Sequence, residues 1–329
     1  MRNKIPVIQL YRYEKMEEFI HSINYGGELY NVLEKGKFVF RGHASDKYVL
    51  TPSALRPQSK EWFCRLSLSG SGNGNEDIEW FQMINEYNLL RRFYKSCDNR
   101  GLYIPNISRI RKTFHDKVDV VTMLTNENWL PNDLWEIAAL AQHYGIPTRL
   151  LDWTHDKHTA LFFSLEDQLE GKNLPEGTKN IVLWALNINE ILSLQNCGMP
   201  LCLVQPIYYG NPNLAAQQGM FTLWQIKKTI DIVDKKVKVD IKTPTNRKPL
   251  DELIQEYVSD KNKHNEPYLY KIELPFGEAR VLYNYLKSIG FDASRIYPGY
   301  LGTSKAVMHE HFLYDEMLDK SPIISIVTN

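Results

Sequence analysis

Cysteine is scarce in this chain, and the few that occur are not arranged for metal binding. The sequence contains four of them, at Cys64, Cys97, Cys197 and Cys202. No two form a CxxC pair, and none has a histidine at the spacing of a zinc site. The pattern predicts free thiols in a reducing cytoplasm. His155 and His158 stand three residues apart without a third ligand at a useful spacing, so we expect no metal site.

Long apolar runs and a surplus of either charge are also missing. No window approaches the roughly 20 apolar residues of a membrane-spanning helix, and the N-terminal residues lack a signal-peptide core. Lysine plus arginine and aspartate plus glutamate both number 39, so the formal net charge is zero. Chains that bind duplex nucleic acid non-specifically are usually basic. We therefore expect a cytoplasmic protein with no membrane partner, in which only a local patch can be basic.

No glycine-rich phosphate-binding loop follows any predicted strand. Strand and helix patterns are both plentiful, but they do not alternate regularly, which favours an α+β fold over a doubly wound parallel sheet. Hydrophobic residues make up 43% of the 329 residues, enough for a large core. We predict one domain over residues 1–329, with a helical insert at about 58–131 and a polar, basic insert at about 225–265.

Hydrophobic periodicity places the main elements. Predicted helices lie at 13–23, from 76 onwards and at 277–290. Predicted strands lie at 37–42, 181–188, 201–209, 220–224 and 267–275. Pro206 puts the end of its strand at a sheet edge, and the Lys-Val alternation of residues 234–242 predicts an edge hairpin. The basic stretch at 227–248 is interpreted as a solvated insert rather than a nucleic-acid contact.

The strongest local signals lie between residues 132 and 166. Asp133 and Glu136 match a capping box ahead of an apolar helix, and Gly145 predicts the end of that helix. The sequence TRLLD then predicts a short strand at 148–152. A second helix follows that is apolar on all sides, with Thr154 or Asp156 as its cap.

Two polar features border these elements. Arg41 ends its strand just before Gly42, so its guanidinium is partly desolvated and needs a carboxylate or a phosphate. Asp152, Trp153 and Thr154 form a corner between a strand end and a helix start, where backbone N–H groups favour negative charge. Two interpretations remain open. Arg41 and Asp152 either pair to join two strands or face a ligand, and Trp153 is either core or a stacking surface.

Three motifs resemble the FRG domain, which is named for its Phe/Tyr-Arg-Gly signature. They are FRGH at 40–43, LTPSALR at 50–56 and LAQHYGIPTRLLDWT at 140–154. The later motifs of the family resemble AAQQGMFT at 215–222 and SRIYPGYLG at 294–302. The resemblance covers about residues 15–310. Where the family tends to have an acidic residue in its C-terminal turn, this chain has Gly299 and Tyr300.

The order of these motifs is similar, at a distance, to the ADP-ribosyltransferase fold, in which split mixed or antiparallel sheets form a central cleft surrounded by helices. That resemblance implies NAD as substrate and no metal. The residues implied as catalytic are Arg41, Asp152, Gln217 and Gln218. The residues implied to bind NAD are Arg41, Gly42, His143, Tyr144, Arg149, Trp153 and Thr154. For His143 the plain alternative is a favourable charge at a helix C-terminus.

The implied function is transfer of ADP-ribose to a nucleic acid or protein acceptor. The family occurs in bacterial and phage proteins, some linked to phage defence, so a role in phage–bacterium conflict is expected. Glutamine cannot act as a general base, so Gln217 and Gln218 predict slow hydrolysis and a reaction driven by positioning and charge stabilisation. The alternative is a non-catalytic module that senses a nucleotide or nucleic acid in a defence system.

Overall fold

The computed structural model describes residues 5–33, 36–66, 77–112, 128–227, 230–233, 236–239, 242–259 and 266–313. This part of the chain has an α+β fold, as the sequence predicted. Its strands are β1 Ile8–Arg12, β2 Phe38–His43, β3 Asn128–Trp129, β4 Leu151–Thr154, β5 Asn180–Asn187, β6 Leu201–Val204, β7 Gly219–Trp224, β8 Ile226–Lys227, β9 Ile230–Val233, β10 Lys236–Val239 and β11 Leu269–Pro275.

Thirteen α-helices accompany these strands in the described ranges. They are α1 Met16–Ile23, α2 Pro57–Leu66, α3 Glu79–Asp98, α4 Ser108–Lys112, α5 Trp135–His143, α6 Lys157–Phe163, α7 Glu166–Leu169, α8 Ile188–Asn196, α9 Pro212–Ala216, α10 Leu250–Ser259, α11 Ala279–Ser288, α12 Ala293–Ile296 and α13 Tyr300–Met308. Helices α2 to α4 occupy the predicted helical insert. No helix among the described residues has the length and apolar character to cross a bilayer.

Seven strands form one mixed sheet in the order β1-β11-β5-β2-β4-β7-β6. Only β1 and β11 run parallel; the other neighbours are antiparallel. The apolar strand β5 lies in the interior of the sheet, and β6 lies at its edge. Strand β6 ends at Val204, before Pro206, so it is shorter than the strand predicted at 201–209. The Lys-Val stretch is part of a hairpin, since β10 pairs antiparallel with β9, but this hairpin is a separate two-stranded sheet, begins before the predicted residues 234–242, and leaves residues 234, 235, 240 and 241 outside the described ranges.

The sheet is nearly divided between β2 and β4. Strand β2 pairs with β5 over six residues, whereas it pairs with β4 only through Phe40 and Thr154. The sequence predicted split sheets. The strands instead form a single sheet, whose two halves are joined through one residue pair.

Gly42 allows helix α6 to lie directly on β2. A Cβ atom at this position would stand 1.8 Å from the carbonyl oxygen of Ala160 and 2.6 Å from the backbone nitrogen of Ser164. Those two atoms form a hydrogen bond of 3.0 Å in the helix. The glycine of the FRG signature thus has a packing role, because any side chain would enter the helix backbone.

The predicted capping box of α5 is wrong. Asp133 accepts a bond from Arg109 Nε at 2.6 Å, and Glu136 accepts from the backbone nitrogen of Ile207 at 3.3 Å. The helix begins at Trp135, after a 3-10 turn, without a side-chain cap. Partners distant in sequence engage both carboxylates, so the local cap does not form. The strand predicted at 148–152 also lies later, at Leu151–Thr154.

Candidate functional site

A cleft of about 1280 Å³ opens beside the junction of β2 and β4. Side chains or backbone from β2, β4, β7, α2, α5, α7 and α9 border it. Seven of the residues predicted for the site line this cleft: Arg41, Gly42, His143, Asp152, Trp153, Thr154 and Gln217. The fold therefore gathers motifs that are far apart in the sequence around one open space.

Arg41 connects the two halves of the sheet where they separate. Its Nη1 donates to the backbone oxygen of Asp152 at 2.9 Å and to Asp152 Oδ2 at 3.3 Å, and its Nε donates to His43 Nε2 at 3.0 Å. The Arg41 side chain is 14% exposed. Burial lowers its pKa and the nearby Asp152 opposes this shift. Its Nη2 donates to no acceptor in the described ranges, so one side of the guanidinium has no protein partner there.

His43 supports Arg41 as a neutral acceptor. The ring is buried, and burial lowers its pKa well below the ordinary range, with the positive charges of Arg41 and Arg56 acting in the same direction. Since Nε2 accepts from Arg41, the proton of the neutral imidazole resides on Nδ1. The sequence motif FRGH contains His43, but residue spacing alone does not single it out as a support for Arg41.

Asp152 is the member of β4 that faces the cleft. Its side chain is 56% exposed, whereas those of Leu151 and Trp153 on either side are buried, as strand alternation requires. Gln142 donates to Oδ1 and Arg41 donates to Oδ2, while the hydroxyl of Thr148 holds the Gln142 side chain. Both carboxylate oxygens are thus engaged by the protein.

Trp153 and Thr154 border the cleft but direct their polar atoms into the structure. Trp153 is 3% exposed, lies in a core cluster and donates from Nε1 to Thr222 Oγ1 at 2.9 Å. The hydroxyl of Thr154 donates to the carbonyl of Gln217 at 2.6 Å and accepts from the backbone nitrogen of Asp156 at 3.0 Å. Trp153 therefore lies in the core, which was one of the two interpretations of it. Thr154 joins β4 to the residues Gln217 and Gln218, which we call the glutamine loop. Of the two cap candidates, Asp156 caps α6.

The glutamine loop and the end of α5 also border the cleft. Gln217 donates from Nε2 to the carbonyl of Ile296 at 3.4 Å. His143 Nε2 lies 2.7 Å from Asn213 Nδ2, and burial lowers the pKa of His143. Gln218 does not line the cleft; its backbone adopts a φ of 47°, and its carbonyl accepts from the backbone of His155.

Two further predicted residues lie elsewhere. Tyr144 is 66% exposed and is absent from the lining of the cleft. Arg149 is fully buried against Glu79 and Glu86, with Nε 2.7 Å from Glu86 Oε2. Trp129 donates from Nε1 to the same Glu86 oxygen at 2.6 Å. Arg149 thus anchors α3 to the core rather than facing the cleft, because its charge is already matched by two carboxylates.

Several cleft residues were not identified from the sequence. Arg56 and Lys47 are exposed, and neither has a carboxylate partner among the described residues. Arg56 is the last residue of the LTPSALR motif, and membership of that motif was the one sequence feature that could have identified it as a cleft residue. Trp62, which is 39% exposed, also lines the cleft. Glu166 and Tyr297 line it as well, and neither belongs to a sequence pattern that distinguishes it from a surface residue.

Comparison with known protein families matches the FRG domain over residues 36–173. No curated protein and no solved structure matches the chain. Within the described ranges, no cluster of three or more His, Cys, Asp or Glu side chains is placed to hold a metal ion. The matched span contains Arg41, His43, the Asp152 corner and Glu166, and it stops before the glutamine loop. The chain therefore contains an FRG domain, which supplies most of the cleft.

Proposed function

We propose that the cleft binds NAD and that the protein transfers ADP-ribose to a nucleic acid or protein acceptor. The observation that carries this proposal is the distribution of charge in the cleft. Arg41 has one side of its guanidinium free of protein acceptors in the described structure, and Arg56 and Lys47 have no carboxylate partner there. Guanidinium groups bind phosphate through paired N–H donors, so a pyrophosphate suits this arrangement.

The lining of the cleft suits the remainder of a dinucleotide. Trp62 exposes aromatic surface on the lining of the same cleft, and rings of this kind stack on nucleobases. In this proposal Arg41 and Arg56 hold the phosphates, while the corner at Asp152 and the amide of Gln217 orient the nicotinamide riboside. Both residues are already held by neighbours, and such preorganisation lowers the cost of binding.

The experiment measures release of nicotinamide from NAD and labelling of proteins and nucleic acids with biotin-NAD. We expect activity in the wild-type protein and its loss in Arg41→Ala. Arg41→Lys keeps the charge but not the paired donors, so we expect weakened NAD binding in a folded protein. Arg100→Ala is the matched control, because the side chain of Arg100, two residues beyond the end of α3, bonds only to Ser96 in the described structure and does not line the cleft. Equal activity of all four proteins would refute the proposal.

The alternative is a non-catalytic module that senses a nucleotide or nucleic acid in a defence system. One observation favours it: both oxygens of Asp152 are bonded within the protein, and the neighbouring loop offers glutamine where a base is needed. A sensor would be stabilised against heat by its nucleotide without releasing nicotinamide. Thermal unfolding with NAD, ADP and short oligonucleotides therefore separates the two functions.

A further inference from the structure

The cleft contains three carboxylates, and they differ in how fully the protein engages them. Asp152 has both oxygens bonded, to Gln142 and Arg41. Asp167 also has both oxygens bonded, because Tyr48 donates to Oδ2 at 3.0 Å and Lys172 lies 3.2 Å from Oδ1. Both of these carboxylates are therefore committed to structural contacts.

Glu166 differs from the other two. Tyr297 donates its hydroxyl to Oε1, and Lys305 Nζ lies 3.6 Å from the same oxygen. Oε2 accepts no bond from any group in the described part of the chain. The Glu166 side chain is 20% exposed and lines the cleft. A partly buried carboxylate with one oxygen directed to no protein donor has the capacity to accept a proton from a ligand.

We infer that Glu166 is the general base of the proposed transfer reaction, in place of the glutamines that cannot perform this step. The inference rests on the proposed function. The bond between C1′ of the ribose and the nicotinamide nitrogen breaks, and its electron pair stays on that nitrogen, which becomes neutral. The nucleophilic atom of the acceptor then bonds to C1′, and its proton passes to the Glu166 carboxylate. No oxidant or reductant is needed.

The surroundings of Glu166 suit this role. Burial raises the pKa of Glu166 above its ordinary value, and the negative charge of Glu170 raises it further. The hydrogen bond from Tyr297 and the positive charges of Lys305 and Lys172 lower this pKa, but they do not cancel the effect of burial. A base is most effective when its pKa lies nearer the working pH. Because the carboxylate must be ionised to accept a proton, activity should fall as the pH decreases through this raised pKa.

The test compares nicotinamide release by wild type and Glu166→Gln across pH. General bases contribute about 100- to 10,000-fold, so we expect a loss of kcat of about 100-fold or more, an unchanged KM for NAD, and disappearance of the acidic limb. Glu170→Gln is the control, since Glu170 bonds Lys172 and Lys305 but does not line the cleft. It should retain wild-type kcat.

Tyr297→Phe supplies a second measurement that does not depend on Glu166→Gln folding. The Tyr297 hydrogen bond lowers the pKa of Glu166, so its removal should move the acidic limb to higher pH. Full activity of Glu166→Gln, or an unmoved limb in Tyr297→Phe, would overturn the assignment while leaving the proposed function standing. Absence of NAD cleavage by the wild-type protein would overturn both. Loss of NAD binding in Glu166→Gln would show a structural role instead.

Discussion

Substitution of Gly42 by alanine should destabilise the fold by separating helix α6 from strand β2. The added Cβ would lie 1.8 Å from the carbonyl oxygen of Ala160 and 2.6 Å from the nitrogen of Ser164. The helix must retreat by about 1.2 Å merely to restore a separation of 3.0 Å, which real Cβ atoms essentially never go below. The clash involves backbone on both sides, so no side-chain rotation relieves it.

The magnitude follows from what the retreat removes. Leu161 and Phe162 of α6 are 1% and 0% exposed, and burial of each such side chain is worth about 1.5–3 kcal/mol. A gap of about 0.5–1 Å forfeits roughly a quarter to a half of contact energy. Weakening of the hydrogen bond between Ala160 and Ser164 adds about 1 kcal/mol. We therefore expect Gly42→Ala to lower the free energy of unfolding by about 2–4 kcal/mol.

Urea denaturation followed by tryptophan fluorescence measures this change. The matched control is Gly277→Ala, because a Cβ at Gly277 has no atom within 4 Å and its φ is not in the left-handed region. Alanine there should leave stability within about 0.5 kcal/mol or raise it slightly, since it restricts the unfolded chain. A loss below about 1 kcal/mol in Gly42→Ala, or equal losses in both variants, would refute the packing role assigned to the signature glycine.

Three further predictions concern stability. Arg149→Met should cost about 3–5 kcal/mol by urea denaturation, because it leaves Glu79 and Glu86 buried without their cation. Below the ordinary histidine pKa of about 6.5, the free energy of unfolding should fall by up to about 1.4 kcal/mol per pH unit on account of His43, since only the unfolded chain readily takes up the proton. Asp156→Ala should cost about 1 kcal/mol in the same assay, because it removes the cap of α6.

Matched variants check each of these effects. Arg109→Met breaks a partly exposed pair with Asp133 and should cost less than about 1 kcal/mol; a cost equal to that of Arg149→Met would contradict the burial argument. His43→Gln should reduce the slope of the stability profile between pH 7 and 5, and an unchanged slope would assign the effect to other groups, among them His143, whose pKa is also lowered by burial. Asp156→Asn keeps a capping oxygen and should retain most of the stability that alanine loses.

Local patterns predicted much of the architecture. Period-two alternation located β2 and the Lys-Val hairpin, and the continuous apolar run located β5, because these signals depend on which faces of a strand are buried. The FRG motifs predicted that Arg41 and Asp152 belong to one site. Helix starts were less predictable. The capping box at Asp133 failed because Arg109, 24 residues away, engages that carboxylate.

The α+β class, the FRG signature and the polar residues Asp152 to Thr154 could all be identified from the sequence, although these three residues belong to β4 and do not follow it. Tertiary structure decided which of these groups remain open to a ligand. Asp152 and Trp153 are adjacent in sequence, yet one faces the cleft and the other lies in the core. Arg149 forms buried ion pairs with two carboxylates, whereas one oxygen of Glu166 accepts no hydrogen bond in the described structure. The physical reason is that ion pairing and burial depend on distances between elements, and local sequence does not encode those distances.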